Sequence, residues 1–194
     1  MKKPIQKRTL ETRSRLIAVA TDLVSLRGYD ALRVEEVVQG AGVAKGTFFA
    51  HFRDKDALMD LLIGSEIDRH LDVLDSLPSP RNVTEMVDAL LPSMNFMTSE
   101  RYVFDVILRY SGAAMSDEIG TIATTFGRHL DIVARWLGDG PFRRDVTAQM
   151  LAEGVQAFAV QVMALHFCAL HNDVALSDRL TGYLNAWLLD QNAL

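Results

Sequence analysis

The chain has 194 residues, 49% of them hydrophobic and 23% charged, with 12 glycines and 5 prolines. That is enough apolar side chain to fill one ordinary domain, or a small module joined to a larger one, and too little polar bias for disorder. The formal charge of -5 taken alone argues against a nucleic-acid binder.

Other broad classes are excluded by simple features. The longest nearly apolar stretch, 157–170, is broken by Gln161 and His166 and falls short of the roughly 20 residues that span a bilayer. The basic start MKKPIQKRTLETR has no apolar segment of the kind that makes a secretory signal, so no membrane association is expected. The single cysteine, Cys168, can neither close an intramolecular disulfide nor build a thiolate metal site. A reducing, cytoplasmic setting is expected, with no cofactor and no metal.

In chain order, Leu16, Ile17, Ala20, Leu23, Val24 and Leu26 recur at three- and four-residue steps and predict a helix over 9–27, stopped by Gly28. Val34, Val37, Val38 and Ala41 predict a short second helix ending at Gly42, and a third runs from just after Val43 to about Phe52. Asp54 can accept from the free amides that open a long fourth helix, which continues to the Leu77-Pro78-Ser79-Pro80 break. Beyond the break, helices are predicted at 82–97, 100–113, 116–138, 143–171 and 175–191, separated by Thr98-Ser99, Gly112, the Gly138 to Pro141 turn and Asn172-Asp173. Pro92 is placed to kink or split the first of these. No two-residue alternation is present, so the fold class is all-α.

Charge divides the chain at residue 55, ahead of the Leu77-Pro78-Ser79-Pro80 break. Residues 1–55 carry 11 Lys+Arg against 6 Asp+Glu, whereas the remainder carries 9 Arg, no Lys and 19 Asp+Glu. A small basic module joined to a larger acidic one suits contact of the first part alone with a polyanion. Within it, Val34 to Phe52 reads as two short helices around a tight turn at Gly42, with Val43 plugging the angle between them. This is helix-turn-helix geometry. The second helix opens at Lys45 and offers Lys45, Gly46 and Thr47 to a major groove, while aromatic residues among Phe48, Phe49 and Phe52 anchor its other side. Lys45 is the long donor placed for a guanine edge, Gly46 permits close approach, and Thr47 and His51 are placed for phosphate oxygens, with Lys55 a further phosphate candidate.

The segment from Thr12 to Leu58 resembles the DNA-binding domain of the TetR family of transcriptional regulators. The residues that carry the resemblance include Arg13, Ala20, Gly28-Tyr29, Ala41-Gly42-Val43, Gly46-Thr47, His51-Phe52, Lys55 and Leu58. The resemblance implies an N-terminal three-helix helix-turn-helix domain, 1–54, with a basic arm, followed by a larger helical ligand-binding and dimerisation domain, 55–194. It also implies a ligand-responsive repressor, not an enzyme, acting on double-stranded DNA. Three positions depart from the family pattern. Ala44 stands where a serine usually caps the recognition helix, a loss of about 1 kcal/mol; Phe49 replaces a phosphate-binding tyrosine; and Arg33 replaces a threonine before the second helix and can contact the backbone itself. The phosphate grip then leans more on Thr47, His51, Lys55 and the arm residues Lys2, Lys3, Lys7 and Arg8.

The second domain is less specific. In the 143–171 helix, Leu151, Val155, Phe158, Val162 and Leu165 form one stripe, and Gly154, Ala157, Gln161, Ala164 and Cys168 form a smaller-residue stripe beside it. With the apolar face of the last helix (Leu180, Tyr183, Leu184, Trp187, Leu188), these predict a four-helix interface between two copies, hence a homodimer on a palindromic operator. Phe96, Tyr102, Phe126 and Phe158, with Tyr110 and His129 as polar points, are the candidate lining of a pocket for a small apolar or aromatic effector. Glu66 and His70, one turn apart, have no second such pair and are not read as a metal site. Two rivals remain at this level: an all-α enzyme, for which no clustered acid/base pair is visible, and an interaction or small-molecule-binding module whose DNA binding has degenerated, as Ala44 and Phe49 hint.

Overall fold

The computed structural model describes residues 3–111 and 119–189, the side chains of residues 3–6 aside. Among the described residues there are nine helices and no strand: α1 Lys3–Arg27, α2 Val34–Gly40, α3 Lys45–Phe49, α4 Lys55–Ser76, α5 Val83–Met97, α6 Arg101–Tyr110, α7 Thr121–Asp139, α8 Ala148–His166 and α9 Leu176–Leu188. None of them is long and apolar enough to cross a membrane. Of the expected features, Lys2, Gly112, the first residues of the 116–138 helix and the last of the 175–191 helix lie outside the described residues.

Local chemistry accounts for most boundaries. Gly28 takes φ +83° and its amide donates to Val24 O at 2.8 Å, closing α1. Asp54, Asn82 and Thr147 cap α4, α5 and α8 by accepting from the amides of Ala57, Glu85 and Met150. Three expectations are corrected. The first helix continues back through the expected arm to Lys3, because Pro4 falls in the first turn, where its missing N–H costs nothing. Pro92 lies inside α5 on its exposed side and does not split it. The expected 143–171 helix is shorter at both ends. Arg144 instead folds back to donate to Gly138 O at 2.7 Å and Gly140 O at 2.6 Å, satisfying the carbonyls that end α7, and Thr147 sets the later start.

One continuous apolar core runs through the molecule. Its centre is the pair α4 and α7. Gly64 of α4 lies so close to α7 that a Cβ there would stand 2.7 Å from Thr121 side-chain atoms and 2.8 Å from the Ile122 amide nitrogen. The buried carboxylate of Asp60 accepts from the Thr121 and Ile122 amides at 2.9 and 3.1 Å, capping α7 from a neighbouring helix. Along the outer edge Arg128 bridges Asp68 and Asp72 at 2.6 and 2.7 Å, and Arg135 pairs with Asp75 at 2.7 Å. The helix that leaves the helix-turn-helix is thereby tied along much of its length to the body.

Candidate nucleic-acid interface and the cavity behind it

α2 and α3 meet across a turn in which Gly42 adopts φ +64° and the Val43 amide donates back to Val38 O at 3.0 Å. A Cβ at Gly42 would meet nothing within 4 Å, so the requirement for glycine there is the backbone angle and not space. Phe48 is fully buried and packs on Phe52 with ring centroids 5.4 Å apart. Arg13 of α1 lies over the Phe52 ring at 4.3 Å and donates to His51 O at 2.6 Å, so α1 clamps the end of α3.

With one face of α3 held in this way, its leading end points outward. Lys45 and Gly46 are exposed, Thr47 and His51 half-buried, and Phe49 is 49% exposed, its ring edge-on to Phe48 at 5.3 Å. Ala44 caps α3 with no side-chain bond, leaving the first amides of the helix open to another acceptor. The Lys45 ammonium rests 2.5 Å from Glu35 of α2, and that hydrogen bond holds the Glu35 carboxyl below its ordinary range. Arg33 is exposed and donates to Asp30 O at 2.7 Å. Lys55 does not join this outward group: its ammonium sits 4.7 Å from the centre of the Tyr102 ring, and burial, then the nearby Arg33 charge, lowers its pKa.

Tyr102 therefore belongs to the joint between the helix-turn-helix and the body. Its hydroxyl is 3.5 Å from Asp56, which also pairs with Arg109, and burial, then the Asp56 charge, pushes the phenol up to about 12. Tyr110 stands near the same turn, its pKa raised by burial and then by Asp56 and Asp54. Phe96 packs between Tyr29 and His70, with centroids 6.0 and 5.7 Å away. Glu100, which sequence reasoning missed, completes the joint. Its two carboxylate oxygens accept from the Tyr29 and Asp30 amides at 2.9 and 3.0 Å, and Gly28 leaves room for them: a Cβ there would stand 2.7 Å from Oε1. No sequence signal links positions 71 residues apart.

Behind the joint, a cavity of about 40 Å³ opens between α4, α5, α7 and α8. Ile67 and Leu71 of α4, Met94 and Met97 of α5, Phe126 of α7 and Met163 of α8 line it. Its polar groups come from Ser93, Thr125, His129 and Gln156. Of the candidate pocket residues, the structure brings together Phe126 and His129 only. Phe96, Tyr102 and Tyr110 lie at the joint, and Phe158 packs on Tyr183 and Trp187 with centroids 5.2 and 5.9 Å away. All four are aromatic residues whose helical register directs them to a different neighbour. His129 Nδ1 is 3.2 Å from Gln156 Oε1, and burial pushes the imidazole down to about 4.

The terminal helices also differ from expectation. Leu180, Leu184 and Leu188 are fully buried within the chain itself, so α9 needs no second copy to cover that face. Trp187 donates to Leu151 O at 3.1 Å and occupies the groove over Gly154, where a Cβ would stand 2.3 Å from Nε1. The outward part of α8 is thus Gln149, Met150, Glu153, Ala157, Gln161 and His166, with Met150 its one large apolar side chain. Glu66 pairs with Arg69, and His70 Nε2 lies 3.7 Å from it.

Comparison with known proteins supplies the context for this arrangement. The family model described as bacterial regulatory proteins, tetR family, matches residues 16–62. The chain is similar to YvdT of Bacillus subtilis, an uncharacterized HTH-type transcriptional regulator, with 27% identity over 110 residues, 56% of this chain and 56% of that protein. It is similar to the HTH-type transcriptional repressor KstR2 of Mycobacterium tuberculosis, with 31% identity over 72 residues, 35% of this chain and 36% of that one. The matched part therefore spans 56% or less of the length of these two relatives. In fold the chain is similar to FadR of Thermus thermophilus, a TetR-family repressor in complex with lauroyl-CoA, at TM-score 0.64 and 17% identity over 90% of this chain and 92% of that one. It is also similar to RolR in complex with resorcinol, at TM-score 0.64 and 17% identity over 96% and 92% of the two chains. At these identities the likeness is one of fold.

Proposed function

We propose, from the premise that this chain belongs through residues 16–62 to the tetR family of bacterial regulatory proteins, that it is a sequence-specific DNA-binding repressor released by a small apolar or aromatic effector. The observation that carries the reading is the outward-facing, uncapped leading end of α3 with Lys45 at its tip, held from behind by buried Phe48. Lys45 reads a base edge, Gly46 lets the helix end approach, and Thr47, His51 and Arg33 grip phosphate, with Phe49 in apolar contact alongside. Lys55 acts from its place over Tyr102, steadying the joint. Residues 1–54 form the DNA-binding domain and 55–194 the effector domain, with α4 shared between them in space.

The effector acts by widening the cavity. At about 40 Å³ it has room for about three water molecules, so any larger guest must displace a wall, and Ile67 and Leu71 make α4 one of those walls. α4 begins at Lys55, five residues after Ala50 closes α3, so its displacement moves the recognition helix. DNA affinity falls by the factor by which the effector prefers the displaced state. Liganded FadR and RolR lend support to an effector domain of this shape.

Two copies pair through what α8 and α9 still expose, Met150, Ala157 and Gln161 of the one and Gly182 and Ala186 of the other, and present their recognition helices about 34–36 Å apart, or at a multiple-turn spacing, to a palindromic site. Selection of fragments from a random DNA pool tests the reading. A repressor enriches a palindrome whose affinity falls steeply with salt through counterion release. Absence of any enriched sequence refutes it and leaves a binding module whose DNA contact has been lost.

A further inference from the structure

We propose that the cavity selects an uncharged lipophilic molecule carrying a hydroxyl, an aliphatic alcohol or a phenol, which donates to His129 Nε2, and that it rejects the corresponding carboxylate. This rests on the cavity being the effector site and specifies the chemistry of its ligand.

Among the described residues the lining contains no Lys, Arg, Asp or Glu, so a charged guest finds no counter-ion there. An unpaired charge taken from water into such a site is strongly disfavoured. The polar groups that remain are not interchangeable. Thr125 already donates its hydroxyl proton to Ile122 O at 2.7 Å. With the Gln156 amide turned oxygen-first toward the ring, Oε1 accepts across the 3.2 Å contact and His129 Nδ1 carries the proton. Nε2 is then a bare acceptor. It has no hydrogen-bond partner among the described residues, and His129 lines the cavity.

A hydroxyl proton suits that lone pair, whereas a carboxylate meets it with lone pairs of its own. Accepting the carboxylate at that atom requires protonating an imidazole that burial pushes down to about 4, a state populated about once in a thousand at pH 7, and the neutral donors of Ser93 and Gln156 bring no counter-charge to replace it. The apolar walls supply the rest of the affinity. Met94, Met97 and Met163 are flexible enough to part around a chain or ring that the present volume does not admit.

The test uses the full chain and three probes of equal length, octan-1-ol, octanoate and octylammonium, measured by calorimetry and thermal shift at pH 7.5. Octanol is expected to bind at least about tenfold more tightly than either ion. His129→Leu, which removes the acceptor, is expected to weaken octanol about tenfold. Val160→Phe, which enlarges a lining residue of α8 to fill the cavity, is expected to abolish octanol binding. The proposal is overturned by octanoate binding as tightly as octanol, by no binding of octanol, or by full octanol affinity in the Leu variant. If the Leu variant does not fold, the probe ratio in the parent chain and the loss in the Phe variant decide. A gel shift run beside these separates the two readings. DNA released by octanoate and not by octanol keeps the regulator and overturns the ligand class. Octanol binding as stated in a chain with no operator keeps the ligand class and overturns the regulator.

Discussion

Replacing Glu100 with alanine removes the two oxygens that hold the Tyr29 and Asp30 amides. Hydrogen bonds to a charged group contribute roughly 1.5–3 kcal/mol each. The Asp30 end is exposed and rehydrates, so the loss comes to about 2–3 kcal/mol for the pair. For a chain of this length that lowers the melting temperature by about 4–12 °C. Gly28→Ala attacks the same joint from the other side. It forces a Cβ residue into φ +83° and sets that carbon 2.7 Å from Glu100 Oε1; the backbone strain alone is about 1–2 kcal/mol, and the displaced carboxylate adds to it. In the double variant only the strain remains, since there is no carboxylate to displace. The two changes are therefore expected to couple by at least about 1 kcal/mol in a double-mutant cycle, with amide exchange at Tyr29 and Asp30 speeding up in each. A Glu100→Ala chain that melts within about 1 °C of the parent, or two changes that add without coupling, refutes the reasoning.

Lys45→Ala is expected to cost about 1–3 kcal/mol on the selected operator and much less on scrambled DNA, checked by titrating both at one salt concentration. Gly64→Ala drives a methyl into Thr121 and the α7 backbone and is expected to lower stability by about 1–3 kcal/mol, read as a lower urea midpoint. Lys55→Met removes the cation over Tyr102 and is expected to cost about 0.5–1 kcal/mol of stability while leaving the salt slope of DNA binding unchanged; a slope reduced by about one unit would return Lys55 to the phosphate contacts. His129 titrates at about 4 folded against 6.5 for the free group, so between those values the unfolded chain binds the extra proton. Its contribution is intact above pH 6.5 and falls by up to about 3 kcal/mol as the pH drops to 4. The urea midpoint of His129→Leu is expected to decline less over that window than the parent's.

What the amino-acid order determined by itself is everything set within a turn or two of chain. The apolar spacing from Leu16 to Val24, the backbone angles of the glycines at 28 and 42, the Asp54 cap and the packing of Phe48 on Phe52 act through neighbours no more than five residues away, which is why the helix-turn-helix and its exposed Lys45 are legible in the sequence. Only the tertiary structure decided where the aromatic residues of the body went. Phe96, Tyr102, Tyr110 and Phe158 share a composition that suits a pocket, yet the rotation of each helix about its axis, set by the packing of all its neighbours at once, sent them to the joint and to α9. The same holds for Glu100, whose partners are 70 and 71 residues away, and for the leucines of α9, which found cover within their own chain. Helical periodicity states which residues share a face; which surface that face meets is a property of the assembled core.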